Sequence, residues 1–193
     1  LVKTTDMLAD CKAKKYAVGA FNINGLDQPQ VLIRRAEELG SALIVVEPGV
    51  IEKYVNFEDF VAVTKRAARD AKVPVSIHLS HGLDLEQVER AVKAGFTSVM
   101  YDGSKFSFEE NVANTRKAVE IGHKYGVAVE GELGALGSSF VDISETMTDP
   151  EKAREFVART GVDILAVSIG NSHGFYKGVP HLDFKRLADI REA

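Results

Sequence analysis

Two short stretches, Ser80-His81-Gly82 and Ser172-His173-Gly174, each set an imidazole between a small hydroxyl residue and a glycine. The first closes the apolar run Val73 to Leu79, and the second follows Ile164 to Ile169. A histidine just past a parallel strand points into the crevice where α/β proteins place their chemistry, and the glycine lets the chain turn away sharply. Neutral imidazole is also a good ligand for a divalent metal ion. His81 and His173 are therefore expected to converge at the rim of a barrel and share one ion.

The elements that must position them alternate along the chain. Strands are expected near Ala17 to Asn22, Leu43 to Val46, Val75 to Leu79, Ser98 to Tyr101, Ala128 to Leu133 and Ile164 to Ile169. Helices are expected from Thr5, over Gln28 to Leu39, Phe57 to Asp70, Leu85 to Ala94, Phe108 to Tyr125, Pro150 to Thr160 and Phe184 to Glu192. Thr148-Asp149-Pro150-Glu151 is a helix start, and Gly40, Gly95, Gly126 and Gly161 are helix stops.

Such a repeat folds into an open doubly wound sheet or a closed (β/α)8 barrel, since parallel crossovers are right-handed in both. Periodicity alone does not choose between them. A nucleotide-binding doubly wound fold would show a glycine-rich turn after its first strand, whereas Phe21-Asn22-Ile23-Asn24-Gly25 has one glycine. Polar residues instead follow every strand: Asn22 and Asn24, Glu47, Ser80 and His81, Asp102 and Ser104, Glu132, Asn171 and His173. A ring of functional groups from all strand ends is the barrel pattern. A complete barrel needs about eight such units in about 250 residues. The 193 residues supply six, so residues 1–193 are expected to be one barrel domain, truncated before its last two strands.

Composition narrows the function. The chain is 45% apolar and 27% charged with net charge -4, and it has no run of eighteen apolar residues. Neither a membrane nor a nucleic-acid partner is expected, the latter because no basic stripe is present. The one cysteine, Cys11, cannot form an internal disulfide and reads as a packing residue, in keeping with a cytoplasmic setting. His78 reads as a packing histidine or one that supports a ligand from behind, with a chelating pair His78-x-x-His81 as the alternative; His123 and His181 read as surface residues, and Asp102 with Ser104 as turn formers.

Several stretches in fixed order resemble the class II, metal-dependent ketose-bisphosphate aldolases of the fructose- or tagatose-bisphosphate type. They are Tyr16-Ala-Val-Gly-Ala-Phe-Asn-Ile-Asn24, Ile77-His-Leu-Ser-His-Gly82, Gly95-Phe-Thr-Ser-Val-Met-Tyr-Asp-Gly-Ser104, Glu109-Glu-Asn-Val112, Val129-Glu-Gly-Glu-Leu-Gly134 and His173-Gly-Phe-Tyr-Lys-Gly178. The resemblance implies a (β/α)8 barrel, a zinc ion, and cleavage of a ketose 1,6-bisphosphate to dihydroxyacetone phosphate and glyceraldehyde 3-phosphate. It implies that His81 and His173 are zinc ligands, with a third histidine on a strand beyond Ala193. Glu132 matches a carboxylate near the metal, Asn22 a residue near the substrate, and Gly174 with Lys177 a phosphate-binding loop. A homodimer or homotetramer is implied as well.

Three departures from the family pattern bear on turnover. Ser80 stands where the family carries the aspartate that donates a proton to the C4 oxygen, in His-Leu-Asp-His-Gly. Glu47-Pro48-Gly49 replaces a serine two residues before a glycine at the end of strand two. Gly137-Ser138-Ser139-Phe140-Val141-Asp142 replaces an acidic loop, and the segment from Gly134 to Thr148 reads as about five residues short. The first two are expected to be linked: a carboxylate lost at Ser80 and gained at Glu47 would relocate the proton-transfer group. The alternative is a catalytically impaired or non-catalytic barrel that binds a sugar phosphate.

Overall fold

A computed structural model describes residues 1–134, 147–174, 176 and 178–193. The short loop expected between Gly134 and Thr148 lies mostly outside the described residues, as does Lys177.

Among the described residues, seven helices and six strands alternate along the chain. The strands are β1 (Gly19–Asn22), β2 (Leu43–Pro48), β3 (Val75–Gly82), β4 (Ser98–Tyr101), β5 (Ala128–Leu133) and β6 (Ile164–Val167). They form one sheet in the order β1-β2-β3-β4-β5-β6, and every pair with a described register is parallel. Sequential parallel order with a helix in each crossover is the (β/α)8 pattern, and an open sheet with β1 at its centre is excluded. The helices are α1 (Thr4–Lys14), α2 (Gln28–Leu39), α3 (Phe57–Ala67), α4 (Leu85–Ala94), α5 (Phe108–Lys124), α6 (Pro150–Thr160) and α7 (Phe184–Glu192). A 3₁₀ turn at Gly49–Ile51 joins β2 to the segment before α3.

Local chemistry explains most of the boundaries. Asn56, Asp84, Asp149 and Asp183 cap their helices by accepting a backbone N–H three residues on. Gly40, Gly95 and Gly161 end helices in the left-handed conformation.

The chain packs as two compact units. The first comprises Leu1–Tyr101 and Lys117–Val129, and the second Asp102–Arg116 and Glu130–Ala193. In the first, Met7 and Cys11 of α1 pack with Ala42, Ile44 and Val46 against one face of β2. Phe57 and Phe60 of α3 meet Phe96, with ring centroids 5.0 and 5.5 Å apart, each such pair adding about 0.5–1.5 kcal/mol beyond its buried area. In the second, Phe156 of α6 is fully buried and packs on Phe108 of α5 at 6.2 Å. No described helix is long and apolar enough to cross a membrane.

Candidate metal centre and active site

In the first unit the β2–β3 ladder decides which side chains share a face. Ile44 is level with Ser76, Val46 with His78 and Pro48 with Ser80. Side chains of level partners in a parallel ladder project to the same side, so Ser80 lies on the face that packs against α1 lower down. Asn22 is level with Val46 and joins that face, on the edge strand β1. It is exposed and lines a cleft of about 600 Å³ with Phe21, Gln28 and Val31.

Glu47 takes the other face, level with Leu79. It is 0% exposed, and neither carboxyl oxygen has a hydrogen-bond partner among the described residues. Burial first, and then the negative charges of Glu52 and Glu58, push its pKa up to about 8. Glu47 therefore holds a proton at neutral pH. In this register Glu47 and Ser80, strand neighbours of opposite parity, project to opposite sides of the sheet.

His81 adopts φ of 51°, one of two described non-glycine residues with positive φ. The ladder to β4 shifts there, between Leu79 and Gly82. Such a conformation costs about 1–3 kcal/mol and is retained where the surroundings over-determine it. Gly82 follows because a Cβ at that position would run into the carbonyl oxygen of Met100. His81 is half-buried.

His78 belongs to the packing. Its Nδ1 lies 2.8 Å from Ser98 Oγ, which accepts from Thr4 Oγ1 at 3.0 Å, tying α1 to β3 and β4. Burial, followed by the charge of His81, lowers its pKa to about 4, so its ring is neutral. This matches its reading as a packing histidine.

In the second unit, Asp102 Oδ1 accepts from Ser104 N at 3.1 Å and from Ser104 Oγ at 2.7 Å, which organises the turn after β4. Glu132 of β5 is 1% exposed. Its carbonyl accepts from Asn111 Nδ2 at 2.8 Å, and Asn111 Oδ1 accepts from Thr115 Oγ1 at 2.9 Å, so α5 holds the strand at the residue that carries the carboxylate. Gly131 leaves room for the neighbouring packing: a Cβ there would lie 2.9 Å from the Phe156 ring and 3.1 Å from Thr115. Thr148 joins the ends of β5 and β6: its N–H donates to Ser168 O at 2.9 Å, its Oγ1 accepts from Ser168 N at 2.8 Å, and its hydroxyl donates to Leu133 O.

Among the described residues, the candidate metal donors are His81 in the first unit and Asp102 and Glu132 in the second. One imidazole nitrogen and two carboxylates suit borderline divalent ions, zinc included, so the donor chemistry fits the expected metal. His173 is outside this set and is exposed, as is Gly174, whose φ is 89°. Asp102 is the member missed by sequence reasoning, because its Asx turn with Ser104 already explains a polar residue there. Its position immediately after a strand was the available signal.

Comparison with known proteins gives the same direction. Residues 2–193 match the family model for class II fructose-bisphosphate aldolase. A Bacillus subtilis protein described as a probable fructose-bisphosphate aldolase is 45% identical over 196 residues, covering 98% of this chain and 69% of the relative. The D-tagatose-1,6-bisphosphate aldolase subunit GatY of Klebsiella oxytoca is 42% identical over 197 residues, covering 100% and 69%. The crystal structure of the YdjI aldolase from Escherichia coli K12 superposes with a TM-score of 0.87 at 37% identity, covering 97% of this chain and 67% of that one. A family match over residues 2–193, a relative 45% identical over 98% of this chain, and the sequential parallel sheet of a (β/α) barrel place the chain in the class II fructose-bisphosphate aldolase family.

Proposed function

We propose that the chain catalyses reversible, zinc-dependent cleavage of a ketose 1,6-bisphosphate, of the fructose or tagatose type, to dihydroxyacetone phosphate and glyceraldehyde 3-phosphate. The observation that carries this reading is the aldolase family match over residues 2–193, in a chain that carries His81, Asp102 and Glu132 as candidate metal donors. These residues would hold the ion, with His173 as a further ligand. Bound there, zinc supplies a Lewis acid that stabilises negative charge as the carbon–carbon bond breaks.

The remaining roles fall to the chain's own groups. Ser80, beside His81, offers a hydroxyl that can hydrogen-bond the C4 oxygen but is no acid near neutral pH. Asn22 shares the face of Ser80 and is assigned to orienting the substrate. The Gly174 N–H and the Lys177 ammonium are assigned to a substrate phosphate, whose charge both would offset. A cytoplasmic homodimer or homotetramer completes the proposal.

One observation favours a second reading. Ser80 lacks a carboxyl, and Glu47 is on the wrong face to supply one, so the barrel would bind metal and sugar phosphate with slow turnover. Measuring dihydroxyacetone phosphate release from fructose and tagatose 1,6-bisphosphate separates the two. An aldolase shows zinc-dependent release that Ser80→Asp accelerates by about 10²–10⁴ fold, the scale of a positioned general acid. Sugar-phosphate binding without release in either protein supports the second reading.

A further inference from the structure

The polar residue Gln87 of α4 is 3% exposed, yet no step of the proposed reaction uses it. Its amide is spent on backbone around His81. Oε1 accepts from the N–H of Leu83, two residues after His81, at 2.8 Å. Nε2 donates to the carbonyl of Gly49 at 2.8 Å and to Glu52 Oε2 at 2.8 Å. Glu52 is held in turn by Arg90, one turn further along α4, at 2.9 Å to Nε and 2.8 Å to Nη2. The amide thus bridges the exits of two neighbouring strands, β2 and β3.

Gly49 shows how close these backbones come. A Cβ there would lie 2.6 Å from Gln87 Oε1 and 2.8 Å from the carbonyl oxygen of His81. The β2 exit therefore rests against the peptide of His81, and Gln87 fills the remaining gap. Its own backbone N–H is capped by Asp84 Oδ1 at 2.7 Å, so the first turn of α4 fixes where the amide stands. His81, with φ of 51°, needs such support: a left-handed non-glycine residue relaxes unless its surroundings hold it.

We propose that Gln87 is a positioning residue that sets the backbone of His81, and through it the aim of the imidazole toward the metal. The inference rests on His81 being a metal ligand. Partners that orient a ligand from behind are worth about 10–100 fold in metal affinity. Gln87 differs from the usual case by holding the ligand's main chain.

The test titrates the apo chain with zinc alone against a chromophoric chelator and records the visible spectrum of the cobalt form, with circular dichroism to check folding. Gln87→Met keeps the length of the side chain and removes all three hydrogen bonds. It is expected to weaken zinc binding by about 10–100 fold and to shift the cobalt bands. Gly49→Ala presses on the same contact from β2 and should reproduce both effects; if Gln87→Met does not fold, this variant decides on the same terms. His81→Ala separates the two levels of the argument. Parent-like zinc affinity in His81→Ala overturns the metal-ligand reading and the positioning role with it. Zinc loss in His81→Ala, with parent-like affinity and spectrum in folded Gln87→Met or Gly49→Ala, overturns the positioning role alone.

Discussion

Glu47→Gln is expected to stabilise the protein at alkaline pH and to do little near pH 5. Glu47 is fully buried without a hydrogen-bond partner among the described residues, and its pKa is raised from 4.5 to about 8. Below pH 4.5 both folded and unfolded chains carry the proton, and the residue has no linked cost. Between 4.5 and about 8 the unfolded chain has released a proton that the folded chain keeps, so each pH unit destabilises the fold by about 1.4 kcal/mol. Over that window the sum reaches about 5 kcal/mol as an upper bound, reduced in practice by relaxation and water entry. Glutamine has nearly the same shape and no titration. Urea unfolding of parent and variant from pH 5 to 9, with chelator present, should give a stability difference that grows with pH and levels off above about 8. Parallel pH curves would refute the raised pKa. Because Glu47 faces away from Ser80, turnover should stay within about threefold; a loss of about 10² fold or more would restore Glu47 as the proton-transfer group.

Other outcomes follow from packing and protonation. Gly131→Ala should cost about 1–3 kcal/mol in urea unfolding, because the new methyl meets Phe156, Thr115 and Val162; an unchanged midpoint would mean that these neighbours yield freely. His78 should keep a neutral ring down to about pH 4, so its ¹⁵N shifts should be flat from pH 8 to 5, and a midpoint near 6.5 would contradict its burial. The sign for stability is opposite to that of Glu47. As pH falls from 6.5 toward 4 the unfolded chain takes up a proton that folded His78 refuses, and its contribution is lost.

The parts of the fold set by neighbours in sequence were legible. α2, α4, α6 and α7 start and stop where the pattern places them, because caps such as Asp84, Asp149, Gly95 and Gly161 act within one turn. Boundaries that depend on pairing were less so. β1 begins at Gly19 instead of Ala17, whereas β3 runs through His81 to Gly82 because its ladder to β4 shifts there. The site divides in the same way. His81 and Glu132 stand out as strand-end groups, but the choice of face for Glu47 needs the level pairing of Pro48 with Ser80, which only the assembled ladder supplies. Gln87 resembles any polar residue of an amphipathic helix until Gly49 and Leu83 are brought to it.

Anomalous diffraction at the zinc edge, from crystals of the zinc-loaded chain, tests the central claim most directly. The account predicts one strong peak per chain with a His81 ring nitrogen about 2.0–2.1 Å away and carboxylate oxygens of Asp102 and Glu132 among the other ligands. A peak at which His81 supplies no ligand, or crystals grown in excess zinc that show no peak beside His81, would contradict it.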